Sequence, residues 1–529
     1  MRLFVFLTVA MLCGCGCRSK SSADAGPPVS QAWLDGRLPA ETGAPVDGGA
    51  LTVRVMNEPA GLNPLDDACR DAWVLRMTRG LVLETLLELA PDGALRPALA
   101  ATWSDSEDHR TTTFTLRDAT FSDGTTLRAA DVIATFDALM DSKKPTAGLR
   151  GEFAGLGAWK ALDEKTVQLT WSRPSPFTLR ALTRLPIFSA AQLAGDWAET
   201  LRKPIGSGPF VIEKWERGQS LTLKRRDGGA AHLDTITFRF VKDQTAAFTM
   251  MERGEFDLMT ALTPQLWRAL ESARWAPPMW NRIKSPDNSY SYIAWNEANP
   301  AFADVRVRRA LAHLYDAKLI SKVVDLDLEL PTSCPYLRGS DSCDAALAPP
   351  VFSPDDARAL LSDAGISPEK PLTFHLLIPS ASQRLAKLVP ILQEQMKPVG
   401  VELEIEKVES AVLSSRVAKR DFDAVSRLWT EFDTEQDVFP MFHSSQLDGG
   451  DNWVGYSSPD ADRLIEQVRT EFDAEKRHAL QRQLHAQLQR DQPYLFMTSR
   501  QSLDAAKKRV HGLTPSVGWY DLRVVWVER

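Results

Sequence analysis

Residues Arg96–Leu139 read RPALAATWSDSEDHRTTTFTLRDATFSDGTTLRAADVIATFDAL, and three local patterns follow one another within them. Thr111–Arg117, TTTFTLR, alternates polar and apolar residues, the period-two signature of a half-buried strand. Asp123-Gly124 fits a tight turn, because glycine accepts the positive φ that such turns impose. From Arg128, RAADVIATFDALM sets Val132, Ile133, Phe136, Leu139 and Met140 on one helical face. Asp131 falls in the first turn of that helix, where a carboxylate favours the dipole.

The same two periodicities alternate outward along the chain. LTVRVMN from Leu51, TVQLTW from Thr166, SLTLKR from Ser220 and ITFRFV from Ile236 read as strands. DVRVRRALAHLYDAKLI from Asp304 is a helical pattern, with Asp304 placed to favour the dipole. SPDDARALLSDAG offers Ser353 as N-cap, Pro354 at the first helical position and Gly365 as the stop. PLTFHLLI, a helix to about Lys397, and GVELEIEKV form a strand–helix–strand unit. Interleaving of this kind predicts an α/β fold. At 529 residues the chain exceeds one compact core and implies two or three lobes. Fifteen tryptophans either pack cores or line an aromatic pocket.

The first residues, MRLFVFLTVAMLCGCGC, look like an address. Arg2 supplies a positive start, and the apolar run Leu3–Leu12 has the length of a signal-peptide core, too short to span a bilayer. Leu12-Cys13-Gly14-Cys15 resembles the bacterial lipobox. It predicts a lipoprotein signal peptide over 1–14 and lipidation of Cys15, with Cys17 as the alternative. Acyl chains on that cysteine would tether the protein to a membrane face. Read instead as a thiol metal cluster, CGCGC finds no body cysteines ready to complete it. Residues 15–50 are rich in Ser, Ala, Gly, Pro and Asp, which predicts a flexible linker. The expected location is extracytoplasmic and lipid-anchored, with inner and outer membrane both open because Gly16 follows Cys15.

Motifs for catalysis are missing from the sequence. It has no G-x-x-x-x-G-K-[ST], no H-E-x-x-H, and Gly206-Ser207-Gly208 has the wrong spacing for a nucleophile elbow. Of eight histidines, only His478 and His485 share a predicted helix, and they sit two turns apart. The expectation is therefore no enzyme, no cofactor and no metal. The net charge of −7 argues against a nucleic-acid partner. Cys334 and Cys343 bound a short loop in an exported chain and predict a disulfide. Cys69 is left over, read as a buried free thiol with pairing to the N-terminal region as the alternative.

The Arg96–Leu139 segment resembles the signature region of the family 5 extracellular solute-binding proteins, which include dipeptide, oligopeptide and nickel binders. The family pattern runs P-x-L-A, a Trp, T-F-x-L-R, then F-x-D-G-x-x-L-x-A-x-D-V. Here Pro97, Trp103, Phe114, Arg117, Phe121, Asp123, Gly124 and Asp131 stand in those places. Leu62-Asn63-Pro64, GSGPFVIEKW, ERGEFDLM, IAWNEANPAFADVRVRRALAHLYD and DNWVGYSSPDADRLI resemble its further motifs, so the likeness spans Leu51–Arg529.

The resemblance implies a type II periplasmic-binding-protein clamshell, α/β in class, with two lobes plus an extra subdomain. Lobe I would comprise 51–95, 204–293 and 506–529, the extra subdomain 96–203, and lobe II 294–505. Hinge strands near Pro209 and Ile293 would let the lobes close on a ligand. The implied function is capture of a peptide-like solute for an ABC permease and its ATPase subunits, by a monomer. The same fold binding a metal chelate, an oligosaccharide or an opine-like compound is the alternative; a sensor or structural lipoprotein and a lipoprotein hydrolase are further ones.

In peptide-binding relatives the strand matching DFDAVSRLWTEFD edges the cleft. Its Trp covers the ligand, and a nearby acid holds the ligand's amino terminus. Trp429 matches that Trp. Glu431 and Asp433 both offer the carboxylate, in a spacing that departs from the family's G-x-D-x-x-D-P. Arg427 lies two residues before Trp429, hence on its side of the strand, and could meet a ligand carboxylate. Asn452, from the late motif, completes the candidate set.

Overall fold

The computed structural model describes residues 35–528 other than 42, 70, 431, 432, 448, 449, 517 and 518. The expected signal peptide over 1–14, Cys15, Cys17 and Glu431 lie outside the described residues.

Eleven strands form one mixed sheet that runs through both lobes. Across it lie Val401–Val408, Leu372–Pro379, Ala424–Thr430, Trp280–Trp295, Tyr494–Lys507, Leu258–Met259, Ala50–Val55, Thr235–Phe240, Ser220–Arg225 and Phe210–Glu216; Leu330–Pro331 pairs with Tyr494–Lys507 off this path. The lobe II end is parallel: Leu372–Pro379 pairs in that sense with both Val401–Val408 and Ala424–Thr430. Helix Gln383–Met396 makes the crossover that a parallel pair needs. In lobe I, Ala50–Val55 runs parallel to Thr235–Phe240, which continues into two antiparallel strands. This is the two-lobed α/β architecture that the resemblance implies.

Two long antiparallel strands join the lobes. Trp280–Pro286 pairs with residues 501–507 inside lobe I, and Tyr290–Ala294 pairs with residues 494–499 inside lobe II. Between Pro286 and Tyr290 the register breaks. Pro286 has no N–H to donate to a ladder, so the pairing weakens where the chain passes from one lobe to the other. The crossing thus lies on the strand of Ile293, a few residues before it, and away from Pro209. Ile293 lies within the lobe II ladder, opposite Leu495 and Ser426. Pro209 lies within lobe I, flanked by Gly208 N–H to Val82 O and Phe210 N–H to Leu81 O. A Cβ on Gly206 would stand 1.8 Å from Val82 O, so only glycine fits this close approach of two backbones.

The extra subdomain is a four-stranded antiparallel sheet, Ala100–Asp105, Thr111–Leu116, Thr166–Trp171 and Leu156–Ala161, with helix Ala129–Met140. It shares its core with lobe I: Phe114, Phe136 and Val167 belong to the same buried cluster as Leu51, Phe238 and Val525. Lobe II has separate clusters on its two faces, one around Trp295 and Phe374, the other around Tyr292 and Tyr494.

The linker expected to reach residue 50 is docked from Gly36 onward. Gly36 O accepts from Lys284 N at 2.7 Å, Glu41 takes the Gly512 amide at 2.8 Å, and Gly48 N–H donates to His232 O at 2.7 Å. Leu38 packs against the lobe I core. Composition alone missed this because the contacts come from residues far along the chain. Among the described residues, no helix is long and apolar enough to cross a membrane.

Candidate functional site

Strand Ala424–Thr430 carries the lobe II residues of the candidate site. Along one edge it pairs with Trp280–Trp295 over its whole length, from Trp295↔Ala424 to Ser289↔Thr430. Its other edge meets Leu372–Pro379 only at Ala424 and Val425. From Ser426 to Thr430 that second edge has no strand partner among the described residues.

The register sets Tyr290 beside Trp429 and Tyr292 beside Arg427, all on one face. Trp429 is half-buried, with its ring centroid 5.6 Å from that of Trp453 in an edge-on arrangement. The Arg427 guanidinium lies 4.5 Å from the Trp453 ring centroid, and no carboxylate among the described residues pairs with it. Tyr292 stacks on Tyr494 at 4.4 Å. Trp429 and Arg427 are thus brought together, as the strand period requires.

Asp433 is placed differently from the expectation. It is 2% exposed, and both its oxygens accept from Arg180 Nε at 2.8 Å. Arg180 stands on helix Thr178–Ala181 of the extra subdomain and also donates to Gly93 O at 2.8 Å and Thr434 Oγ1 at 3.2 Å. Asn288, at the crossing between lobes, donates to Asp433 O. In this conformation the Asp433 carboxylate ties lobe II to the subdomain and is not turned to a ligand amine. Gly93 sits so near that a Cβ would be 2.2 Å from Thr434 Oγ1. A second interlobe contact stacks His109 on Phe472 at 3.7 Å. Sequence reasoning missed Arg180 because nothing in SPFTLRAL distinguishes it from a surface cation.

Behind Asp433 the loop is braced. Glu435 accepts from Arg477 at 3.0 and 3.1 Å and lies 3.0 Å from His478 Nε2. Burial pushes Glu435 up, but its bonds to Arg477 and His478 outweigh this and hold its pKa below the ordinary carboxylate range.

Asn452 is also placed away from an open surface. It is fully buried; its amide donates to His443 O at 3.1 Å and Tyr456 O at 2.8 Å, and its carbonyl accepts from Tyr456 N at 3.1 Å. Three bonds leave it little capacity for a ligand, and its work is to close the turn between those residues.

On the lobe I side lies a cavity of about 160 Å³ whose lining includes Arg76, Arg79, Ala90, Thr183 and Trp519. It borders the interlobe contact: of its lining residues, Ala90 O accepts from Gly93 N at 2.8 Å and Thr183 Oγ1 donates to Arg180 O at 2.7 Å. A second cavity, of about 220 Å³, lies between the subdomain and lobe II at Asp105, His109, Trp171, Phe472 and Arg477.

Among the described residues, one set of potential metal ligands converges: Cys334, Cys343 and His485, within 4.8 Å of one another. The two sulfurs form a disulfide. Asp344 N donates to His485 Nδ1 at 3.2 Å, and Nε2 lies 3.1 Å from Ser333 Oγ. With both ring nitrogens engaged and both sulfurs bonded, this set braces a loop and offers no open ligand atom. Cys69 is a buried thiol that burial pushes up to about 11, which keeps it protonated.

The sequence profile of the bacterial extracellular solute-binding proteins, family 5 Middle, matches residues 94–450. The oligopeptide-binding protein AppA of Bacillus subtilis (strain 168) is 26% identical over 531 residues, covering 92% of this chain and 93% of its own length. The structure of AppA from Bacillus subtilis in complex with a nonapeptide superposes with a TM-score of 0.79 at 23% identity, over 92% of this chain and 100% of that one. NikZ from Campylobacter jejuni in complex with Ni(L-His) gives 0.77 at 21% identity, over 90% and 97%. Likeness to structures at such identities establishes the fold and leaves the ligand open.

Proposed function

Because the chain belongs to the bacterial extracellular solute-binding proteins of family 5, we propose that it captures a peptide-like ligand in the cleft between its lobes and delivers it to an ABC permease. One observation supports a peptide most: the edge of Ala424–Thr430 beyond Val425 has no strand partner among the described residues where the strand runs out to the interlobe contact. An extended ligand adds a strand to such an edge, and its backbone supplies affinity whatever its side chains. Trp429 covers the ligand from lobe II, and Arg427 stands beside it.

Closure is the working step. A ligand that touches both lobes binds the closed form better and shifts the population toward it. The two strands that cross at Pro286–Tyr290 take up the motion. The chain performs no chemistry of its own; the permease and its ATPase subunits supply the energy. Acyl chains on Cys15 hold it at a membrane face outside the cytoplasm.

Titrating the solute-free protein with peptide pools, while following tryptophan fluorescence and Tm, tests the reading. A ligand that binds only the folded state raises Tm. Failure of every peptide pool to shift either signal would overturn peptide specificity.

A further inference from the structure

The lobe I cavity carries a partly enclosed cation that no acceptor among the described residues neutralises. Its lining holds Arg76, Arg79, Arg96 and Arg523 against Glu84, Glu88 and Asp521, with Arg96 exposed to water. The acids are already taken: Glu84 accepts from Arg117 at 2.8 and 2.9 Å, and Arg523 bridges Glu88 at 2.9 Å and Asp521 at 2.8 Å. Arg76 lies 4.6 Å from the ring centroid of Trp73. Arg79 is different. No acceptor among the described residues bonds its guanidinium. The carboxylate whose field reaches it most strongly is Asp433, and Arg180 already grips that group from both oxygens. Burial, followed by repulsion from Arg184, pushes Arg79 down to about 10, so it stays charged at neutral pH.

A confined cation without a counter-charge is costly, and one way to relieve that cost is for the ligand to bring the missing charge. Arginine's planar fork suits a carboxylate, which it can hold through two parallel hydrogen bonds. From this geometry we infer that Arg79 is a specificity-determining residue that binds an anionic group, a carboxylate above all, on the part of the ligand facing lobe I. The inference rests on the reading of the interlobe cleft as the solute site. It adds the ligand's charge, which the open strand edge in lobe II does not report. The carboxylate can come from an acidic side chain or from a chain terminus.

The test is calorimetric titration of the full chain, stripped of bound solute. The probes are tripeptide pools bearing acidic, neutral or basic side chains, each with a free or an amidated C-terminus, together with citrate as a non-peptide anion. The expected result is that carboxylate-bearing probes bind about tenfold or more tighter than their uncharged counterparts. Arg79→Gln removes that preference, and Arg79→Lys, which keeps the charge without the fork, retains part of it. Loss of preference on amidation identifies the terminus as the source; persistence identifies the side chain. Equal binding of the amidated neutral pool and the carboxylate-bearing pools, or a preference that survives in Arg79→Gln, overturns the inference while leaving peptide capture intact. Arg79-dependent binding of citrate without any peptide binding overturns peptide capture and upholds the inference. Binding of no probe by a chain that still melts cooperatively overturns both.

Discussion

Arg180 and Asp433 meet across the gap between the extra subdomain and lobe II, with Nε 2.8 Å from each carboxylate oxygen. They are 253 residues apart in the chain. The subdomain shares a core with lobe I, so this pair links one lobe to the other rather than bracing a local loop.

Arg180→Ala should therefore act on closure more than on folding. Removing one partner of a fixed buried pair costs roughly 3–5 kcal/mol. Here the lobes can part and rehydrate Asp433, so the expected loss of global stability is smaller, about 1 kcal/mol. Small-angle scattering of the solute-free variant should show a larger radius of gyration than the parent chain. Unchanged scattering would mean that the pair does not hold the lobes together.

Asn452 and Trp429 should separate stability from binding. Asn452→Ala deletes three hydrogen bonds in a fully buried turn and should cost roughly 2–4 kcal/mol in urea unfolding. Trp429→Ala removes a half-buried ring at the end of the open edge and should weaken ligand binding about tenfold or more, with a smaller loss of stability. The reverse pattern would move the binding surface toward the Asn452 turn.

The disulfide should matter locally. Cys334 and Cys343 are nine residues apart, and closing so short a loop is worth about 2–3 kcal/mol in the chain-entropy account. Ser333 Oγ also bonds Leu347 O at 2.6 Å, and Ser342 Oγ bonds Gln481 at 2.7 Å, so the loop keeps other ties. Reduction should lower Tm by a few degrees for about that cost and leave ligand affinity unchanged, measured side by side with and without reductant.

Glu297 should give stability a slope in pH. Burial pushes its carboxyl up to about 7 although Arg308 stands 3.2 Å away. The folded chain then holds this proton more tightly than the unfolded chain, in which a glutamate titrates near about 4.3. Between those two values the folded state binds more protons, so this group's contribution to stability falls as pH rises and levels off above about 7. Glu297→Gln cannot ionise and should gain on the parent chain between pH 5 and pH 8, by up to about 3 kcal/mol. A difference in Tm that does not change with pH would contradict this.

Much of the architecture was legible because it is local. Ser353 caps helix Pro354–Asp363 by accepting from Asp356 N, with Pro354 at the first position and Gly365 at φ +79° beyond the end. Asp131 reaches back to the Arg128 amide at 2.8 Å, and Gly124 turns at φ +86°. Those features depend on residues a few places apart, and the family motifs fix how such units assemble. What escaped depends on distant pairing. The lobe crossing is set by a register break between two strands some two hundred positions apart, which no periodicity reports. Asp433 offers a carboxylate in sequence while its partner Arg180 is remote, the motif around Asn452 does not report the turn its side chain closes, and Arg79 in VLRMTRGLVLE reads as an ordinary helix-end cation.

An extended ligand is expected to pair, between closed lobes, with the edge of Ala424–Thr430 that has no strand partner among the described residues. Determining the structure of the chain with the solute that co-purifies, or with a peptide selected from the pools, tests it most directly. The expected result is ligand backbone hydrogen bonds to residues between Ser426 and Thr430, with Trp429 against the ligand. A ligand bound between the lobes without backbone contact to that edge, or bound elsewhere, would contradict it.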